Sequence, residues 1–175
     1  MKRVLIWAPL AAFAVLLWVT ASGLITPADR TVRSALVGKP LPEFSLPPNI
    51  AGKPGLSTVD FKRGEPRLLN VFASWCVPCA AEAPQLLAIE QAGVKIDAVA
   101  IRDKPEDVAR FLKRYGDPYQ RIGDDKASAV QLALGSSGVP ETFVIDGNGV
   151  IVKQHVGDIR LEHVAELVAA VRAAR

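Results

Sequence analysis

Cysteine, histidine and methionine are all scarce in this sequence. The 175 residues include two cysteines, two histidines and one methionine. Exported proteins held by a disulfide framework usually carry several cysteines spread along the chain, so that class is excluded. A peroxidase would need a further reactive cysteine besides these two. A soft metal ion would find few ligands other than the two cysteine sulfurs.

A large excess of charge of one sign is also missing. Four of the 21 basic residues and one of the 18 acidic residues lie before position 36, which leaves 17 of each sign in the remainder. No basic patch with interleaved aromatic residues is present, so we expect no nucleic-acid partner. There are no repeats or low-complexity tracts, and a composition that is 50% hydrophobic suits one domain with a proper core.

The N-terminus is the one long apolar segment. Two basic residues precede an apolar run over residues 4–25, and about 20 apolar residues are enough to span a bilayer as a helix. The basic residues would hold the N-terminus in the cytoplasm. We therefore predict a membrane anchor over residues 1–26, a tether over 27–38 and a folded domain over 39–175. A cleaved signal peptide is the alternative, although its apolar core usually has only about 7–15 residues.

Both cysteines lie in one motif, Trp75-Cys76-Val77-Pro78-Cys79. An apolar, strand-like stretch precedes the motif and a helix-like stretch follows it. Such a junction places the first sulfur beside free N–H groups at the positive end of a helix, which favours the thiolate. The second sulfur is one turn away, and a disulfide between them would close a loop too short to stabilise the fold much. We interpret the pair as a redox-active dithiol; two thiolates that hold Cu(I) are the alternative.

The hydrophobic patterns predict an α/β fold. Strands are expected at 68–73, 95–101, 142–145 and 150–155, and helices at 76–92, 105–115, about 126–134 and 161–171. Residues 146–149, Asp-Gly-Asn-Gly, are typical of a hairpin turn. The order predicts a central mixed sheet with helices on both faces, parallel in its first crossover and antiparallel in its last hairpin. A Cys-x-x-Cys motif near a β-α-β pattern is typical of thioredoxin-like proteins.

Several segments together resemble one thioredoxin-like family, the CcmG/DsbE thiol:disulfide interchange proteins of cytochrome c biogenesis. They are residues 37–44, 70–76, 116–119, 138–149 and 155–158. Pro84, eight residues after the first cysteine, matches the proline that kinks the active-site helix in thioredoxin-like proteins. The similarity covers roughly residues 1–175, and it implies a thioredoxin-like fold after an N-terminal transmembrane helix.

The position of the motif and the resemblance together assign roles to several residues. Cys76 is the expected nucleophile and the more exposed sulfur, and Cys79 would resolve the mixed disulfide by attacking it. The resemblance implies a cis bond before Pro140, which would turn the Val139 backbone toward the incoming peptide. Trp75 would shield the sulfurs or contact the substrate.

Two carboxylates match acidic positions in the active site of the family. These are Glu82, three residues after the second cysteine, and Glu141, directly after the expected cis-proline. A nearby carboxylate disfavours a thiolate and can relay a proton to or from the buried cysteine. Asn70 stands where thioredoxin has a buried aspartate, so proton transfer would fall to Glu82, Glu141 or water. Two solvated surface charges are the alternative interpretation.

Four other polar residues are expected to have structural or solvated roles. His155 and His163 lie far from the cysteines in sequence, and Asp124 and Asp125 are expected to form a loop pair that caps the next helix.

The resemblance implies a specific function. The protein would be a single-pass protein of the bacterial inner membrane with its domain in the periplasm, and it would reduce the disulfide of apocytochrome c or of its haem-ligation partner. Electrons would come from a transmembrane DsbD/CcdA-type reductant, without a bound cofactor or metal. Two alternatives stay open: a related anchored reductase for copper-site or other extracytoplasmic cysteines, and a non-catalytic Cu(I) chaperone that uses Cys76 and Cys79.

Overall fold

The computed structural model describes residues 2–25 and 36–174, which belong to two separate compact units. The first unit contains helix α1, Lys2–Ile25. Judged by length and apolar character together, no helix in the described residues qualifies to cross a membrane. The predicted anchor therefore stays a prediction, and most of the predicted tether, residues 27–38, lies outside the described residues.

The second unit is an α/β domain. Its strands are β1 Ser45–Leu46, β2 Leu56–Ser57, β3 Arg67–Phe72, β4 Ile96–Ile101, β5 Tyr119–Asp125, β6 Glu141–Ile145 and β7 Ile151–Val156. Its helices are α2 Val77–Gln91, α3 Pro105–Tyr115, α4 Ala129–Ala133 and α5 Leu161–Ala173, and a 3-10 turn covers Thr58–Phe61. The predicted strands and helices of the domain are all present, with bounds that differ by a few residues at most.

Five strands form one mixed sheet in the order β5-β4-β3-β6-β7. Strand β3 pairs parallel with β4 and antiparallel with β6, and β6 pairs antiparallel with β7. Every residue of β3 and β4 is buried, as expected for central strands with their faces covered. The parallel crossover and the final antiparallel hairpin are thus confirmed.

Strand β5 is the one strand of the five-stranded sheet that the sequence patterns did not predict. It carries polar residues between its apolar ones, and Asp124 and Asp125 belong to it rather than to a loop. The strand lies at the sheet edge, where polar residues are common. Part of its outer edge is covered by the proline-rich segment before β2, because Asn49 N donates to Ile122 O at 3.0 Å and Ile122 N donates to Pro54 O at 3.1 Å. The predicted cap is confirmed for Asp125, which accepts hydrogen bonds from two backbone N–H groups of α4.

Tight packing between α2 and α3 positions the segment that leads into β5. Gly116 ends α3 with a φ of 99°, a conformation that favours glycine. A Cβ atom at this position would lie 2.5 Å from Leu87 of α2. Just beyond it, the ring of Tyr119 packs against Phe72 in the core, with ring centroids 5.0 Å apart. Tyr119, although it belongs to the edge strand, thereby reaches a core residue of the central strand β3.

Candidate active site

The two cysteines form a disulfide where β3 leads into α2. Their Cα atoms are 5.3 Å apart. Cys76 is the N-cap residue of α2, and its sulfur accepts a hydrogen bond from Cys79 N at 3.2 Å. The first turn of a helix has N–H groups without intrahelical partners, which stabilise a negative charge at this position. Cys76 is 5% exposed and Cys79 2% exposed, so the expected difference between the two sulfurs is small in the disulfide form.

Two apolar side chains next to Cys76 in the sequence are exposed at the surface. Trp75 is 56% exposed and Val77 81% exposed, although both are large hydrophobic residues. Trp75 also borders an open groove of about 790 Å³ that runs beside α3 and includes Phe111 and Tyr115. Exposed apolar groups next to a reactive sulfur provide a surface on which another polypeptide can bind.

An aspartate at the end of β4 fixes the loop that leads into the motif. Asp103 is buried, and its carboxylate accepts hydrogen bonds from Ser74 N at 2.5 Å and from Ser74 Oγ at 2.7 Å. Sequence analysis missed this residue. The available signal was a carboxylate soon after a buried parallel strand, since the carboxyl ends of adjacent parallel strands meet at the same edge of a sheet.

Pro140 lies next to the strand that leads into the motif. The Val139–Pro140 peptide bond is cis, as the resemblance implied. Because Glu141 is registered with Val71 of β3, Pro140 lies opposite the end of that strand. Gly157 N donates to Pro140 O at 3.0 Å, whereas Val139 makes no main-chain hydrogen bond to another main-chain group of the described residues.

Glu82 is completely buried one turn beyond Cys79 on α2. Its Oε1 accepts a hydrogen bond from Asn70 Nδ2 at 3.0 Å, and its Oε2 accepts one from Ile159 N at 3.0 Å. Burial raises the pKa of Glu82 to about 7, the two hydrogen bonds oppose this shift, and the charge of Asp158 adds to it. The interpretation as a solvated charge is wrong for this residue.

Asn70 connects Glu82 to two further buried side chains. Its Nδ2 also donates to Thr142 Oγ1 at 2.9 Å, and its Oδ1 accepts a hydrogen bond from Tyr119 OH at 2.8 Å. Burial raises the pKa of Tyr119 well above its ordinary value, and the charge of Glu82 adds to the shift. Sequence analysis named Asn70 but missed Tyr119 and Thr142, because only the register of the sheet brings them together.

Glu141 is also completely buried, but it lies on the other face of the sheet. Its strand neighbour Thr142 contacts Asn70, which also contacts Glu82, and successive side chains of a strand point to opposite faces. Glu141 Oε1 accepts a hydrogen bond from Gln154 Nε2 at 2.8 Å. Burial raises the pKa of Glu141, with hydrogen bonds opposing the shift. The sequence suggested that both carboxylates act at the same site, but the structure places them on opposite faces of the sheet. Neither is a solvated charge.

The two histidines form a contact at the junction of β7 and α5. The ring centroids of His155 and His163 are 4.5 Å apart, and His155 Nε2 lies 3.2 Å from Asp158 O. These contacts agree with the expected structural role. In the described part of the chain, no group of three or more His, Cys, Asp and Glu residues is arranged to hold a metal ion.

The fold and this site define a class of protein. A Cys-x-x-Cys disulfide at a helix N-terminus, in a thioredoxin-like fold with a cis-proline opposite the end of the preceding strand, is the site of a thiol:disulfide oxidoreductase. The family model named Redoxin matches residues 36–171, and the chain belongs to this family.

Relatives and solved structures narrow the assignment further. The chain is 38% identical to the thiol:disulfide interchange protein DsbE of Vibrio cholerae over 97% of this chain and 94% of that protein. It is 40% identical to the thiol:disulfide interchange protein HelX of Rhodobacter capsulatus over 72% of this chain and 71% of that protein. A crystal structure of a thiol:disulfide interchange protein from Chlorobium tepidum is 26% identical, covers 77% of this chain and 94% of its own, and has a TM-score of 0.62. The protein is therefore a homologue of the DsbE thiol:disulfide interchange proteins.

Proposed function

We propose that the protein reduces the disulfide of apocytochrome c, or of its haem-ligation partner, during cytochrome c maturation. The observation that carries the direction of the reaction is Glu82, a buried carboxylate with neutral partners one turn beyond Cys79. A strongly oxidising dithiol pair stabilises its thiolate form. A carboxylate close to the pair disfavours the thiolate, which makes the pair more reducing.

The proposed reaction consists of two thiol–disulfide exchanges. In the reduced protein the Cys76 thiolate attacks one sulfur of the substrate disulfide, which breaks that bond and releases the other substrate sulfur as a thiolate. Cys79 then gives its proton to Glu82 and attacks Cys76 Sγ. This step releases the second substrate thiolate and forms the Cys76–Cys79 disulfide, so two electrons have passed to the substrate. A transmembrane DsbD/CcdA-type reductant would return the pair to its dithiol form, and no bound cofactor is required.

The surface around the disulfide supports a polypeptide substrate. Trp75 and Val77 offer apolar contact area, and the Val139 backbone is available for strand-like pairing with an extended segment. Pro140 places a residue without an N–H group beside this segment. Glu141, buried on the other face of the sheet, would act through the proline loop rather than on Cys79 directly.

We also propose that residues 1–26 anchor the chain in the inner membrane of a bacterium, with the domain in the periplasm. This proposal depends on the sequence alone, on Lys2 and Arg3 followed by the apolar run. A protease added to spheroplasts should degrade the domain of the full chain. Protection of the domain in intact spheroplasts would contradict this orientation.

Trapping in cells tests the substrate. In the variant Cys79→Ala the mixed disulfide at Cys76 cannot be resolved, so we expect a cytochrome c polypeptide or its haem-ligation partner to stay attached. The double variant Cys76→Ala/Cys79→Ala is the matched control and should retain nothing. A copper-site polypeptide on Cys76 would support the alternative anchored reductase instead.

Two further measurements address the remaining alternatives. Unchanged levels of haem-loaded c-type cytochromes after deletion of the gene would contradict the proposed substrate. A Cu(I) titration of the reduced protein tests the chaperone hypothesis. Stoichiometric, tight copper binding without any exchange with peptide disulfides would indicate that the protein is a copper carrier and not a reductase.

A further inference from the structure

The side-chain amide of Asn70 has a defined orientation inside the protein. Its Nδ2 donates to Glu82 Oε1 at 3.0 Å and to Thr142 Oγ1 at 2.9 Å, and its Oδ1 accepts from Tyr119 OH at 2.8 Å. Asn70 is completely buried, so water does not replace any of these partners. Both donor hydrogens of the amide are therefore used, and its oxygen has a donor.

This orientation matters for the charge of Glu82. With the N–H group toward the carboxylate, the amide stabilises the ionised form. In the reverse orientation the carbonyl oxygen of Asn70 would face the carboxylate, and only a protonated Glu82 could donate to it. The direction of the amide and the protonation state of Glu82 are thus coupled.

The hydroxyl group of Tyr119 favours one of the two orientations. Burial keeps this phenol protonated, so it has one hydrogen to donate, and Asn70 Oδ1 is its acceptor. If the amide were reversed, the buried hydroxyl would face an NH₂ group and its own hydrogen would lose this acceptor, which is unfavourable.

We propose that Tyr119 is a positioning residue that acts through Asn70. Its hydroxyl holds the amide with the N–H group toward Glu82, and it thereby sets the ionisation of the carboxylate that exchanges a proton with Cys79. The inference deepens the proposed function, because the exchange between Glu82 and Cys79 is itself proposed. Tyr119 belongs to the edge strand β5, so this control reaches Glu82 from the edge of the sheet.

The other groups around Glu82 do not depend on Tyr119. Ile159 N donates to the second carboxylate oxygen, and Asp158 in the same loop contributes a negative charge. The backbone oxygen of Asp158 contacts His155. On α2 itself the neighbouring titratable groups are the two cysteines, and these do not titrate in the disulfide form. The oxidised protein therefore allows the titration of Glu82 to be measured without a coupled thiol.

Nuclear magnetic resonance of the oxidised full chain, labelled with ¹³C at the glutamate carboxyls, tests the proposal. The signal of Glu82 is identified by its loss in Glu82→Gln. In Tyr119→Phe we expect its titration midpoint to rise by about one pH unit, the equivalent of one lost hydrogen bond. Tyr115→Phe changes the only other tyrosine and should leave the midpoint unchanged. A folded Tyr119→Phe protein with an unchanged midpoint would overturn the proposal.

A second variant covers the case in which Tyr119→Phe does not fold. Incorporation of 3-fluorotyrosine into the Tyr115→Phe background alters Tyr119 alone and keeps its shape, while the more acidic phenol is a stronger donor. The midpoint of Glu82 should then fall by a few tenths of a pH unit. An unchanged or higher midpoint would contradict the proposed role of the hydroxyl.

The pH profile of disulfide exchange separates this inference from the proposed function. If Glu82→Gln alters the profile but the tyrosine variants move neither the profile nor the midpoint, the function stands and the inference fails. If the tyrosine variants move the midpoint but the profile of every variant is that of the wild type, the positioning role stands and the proposed role of Glu82 in exchange fails.

Discussion

Two buried carboxylates of the domain differ in the groups that they contact. These contacts indicate which carboxylate is structural and which is reactive. Asp97, on β4, and Glu82, on α2, are both completely buried. Asp97 faces the guanidinium of Arg67 at 2.8 Å, whereas the hydrogen bonds that Glu82 accepts from the described residues come from the neutral donors Asn70 Nδ2 and Ile159 N. An arginine stays charged at any pH of interest and holds its partner as a pair. Neutral donors do not hold a carboxylate in its ionised form so strongly, so Glu82 can gain or lose a proton.

The two carboxylates also differ in their position along the sheet. Arg67 is the first residue of β3, where its pair with Asp97 joins the beginnings of two central strands. Glu82 contacts Asn70 in the second half of β3, and it lies one turn after Cys79 on α2. Burial raises the pKa of both carboxyl groups, and Arg67 opposes the shift of Asp97. A carboxyl group whose pKa is raised by burial, one helical turn from a reactive cysteine, is a candidate functional group.

The largest effect is expected when the structural pair is broken. Arg67→Met leaves Asp97 buried without its cation and should lower the free energy of unfolding by about 3–5 kcal/mol. Urea unfolding monitored by tryptophan fluorescence measures this loss. The double variant Arg67→Met/Asp97→Leu should recover most of it, because neither partner then leaves an unpaired buried charge. Wild-type stability of the single variant would show that the pair has no structural role.

A smaller effect on stability is expected from pH. The pKa of Glu82 is about 7 in the folded protein and 4.5 for an unperturbed glutamate, so the folded state binds more protons between these values. The free energy of unfolding should therefore decrease as pH rises through this window, by at most about 3.4 kcal/mol for this group. Subtracting the urea-unfolding curve of Glu82→Gln from that of the wild type isolates this dependence. A difference that increases with pH would contradict the raised pKa.

The rate of disulfide exchange should depend on Glu82 more specifically than the free energy of unfolding does. Glu82→Gln removes the proposed proton acceptor and should slow the attack of Cys79 on the mixed disulfide by about 100-fold. Stopped-flow kinetics of the preformed mixed disulfide at neutral pH measure this step. Glu90→Gln, an exposed glutamate on the same helix, is the matched control and should react like the wild type. Equal rates for the two variants would exclude Glu82 from the step.

The smallest effect concerns the charge next to Glu82. Asp158→Asn removes a negative charge that raises the pKa of Glu82, so the titration midpoint of Glu82 should fall by a few tenths of a pH unit. The Asp158 side chain is 38% exposed, so salt should screen its effect. The shift should consequently shrink at high ionic strength in the carboxyl titration. A fall as large as one unit would mean that Asp158, rather than burial, controls Glu82.

Much of the fold was predictable because the patterns are local. The buried strand before the motif, the helix after it and the hairpin around residues 146–149 each follow from the spacing of neighbouring residues. Strand β5 was not predictable in this way, because an edge strand can carry polar residues and aspartates such as Asp124 and Asp125 are typical of turns and loops. The cover of part of its edge by the segment around Asn49 depends on hydrogen bonds between residues more than 60 positions apart.

The sequence by itself determined the chemistry of this protein, because a reactive dithiol requires only two cysteines three positions apart at the start of a helix. Only the tertiary structure decided which carboxylate serves that dithiol. Glu82 and Glu141 look alike in sequence, yet alternation along β6 separates them to opposite faces of the sheet. The order of strands β5, β4, β3 and β6 also brings Tyr119, Asn70 and Thr142 together, over as many as 72 residues of chain. A pKa depends on burial and on such partners, and both are properties of the folded chain.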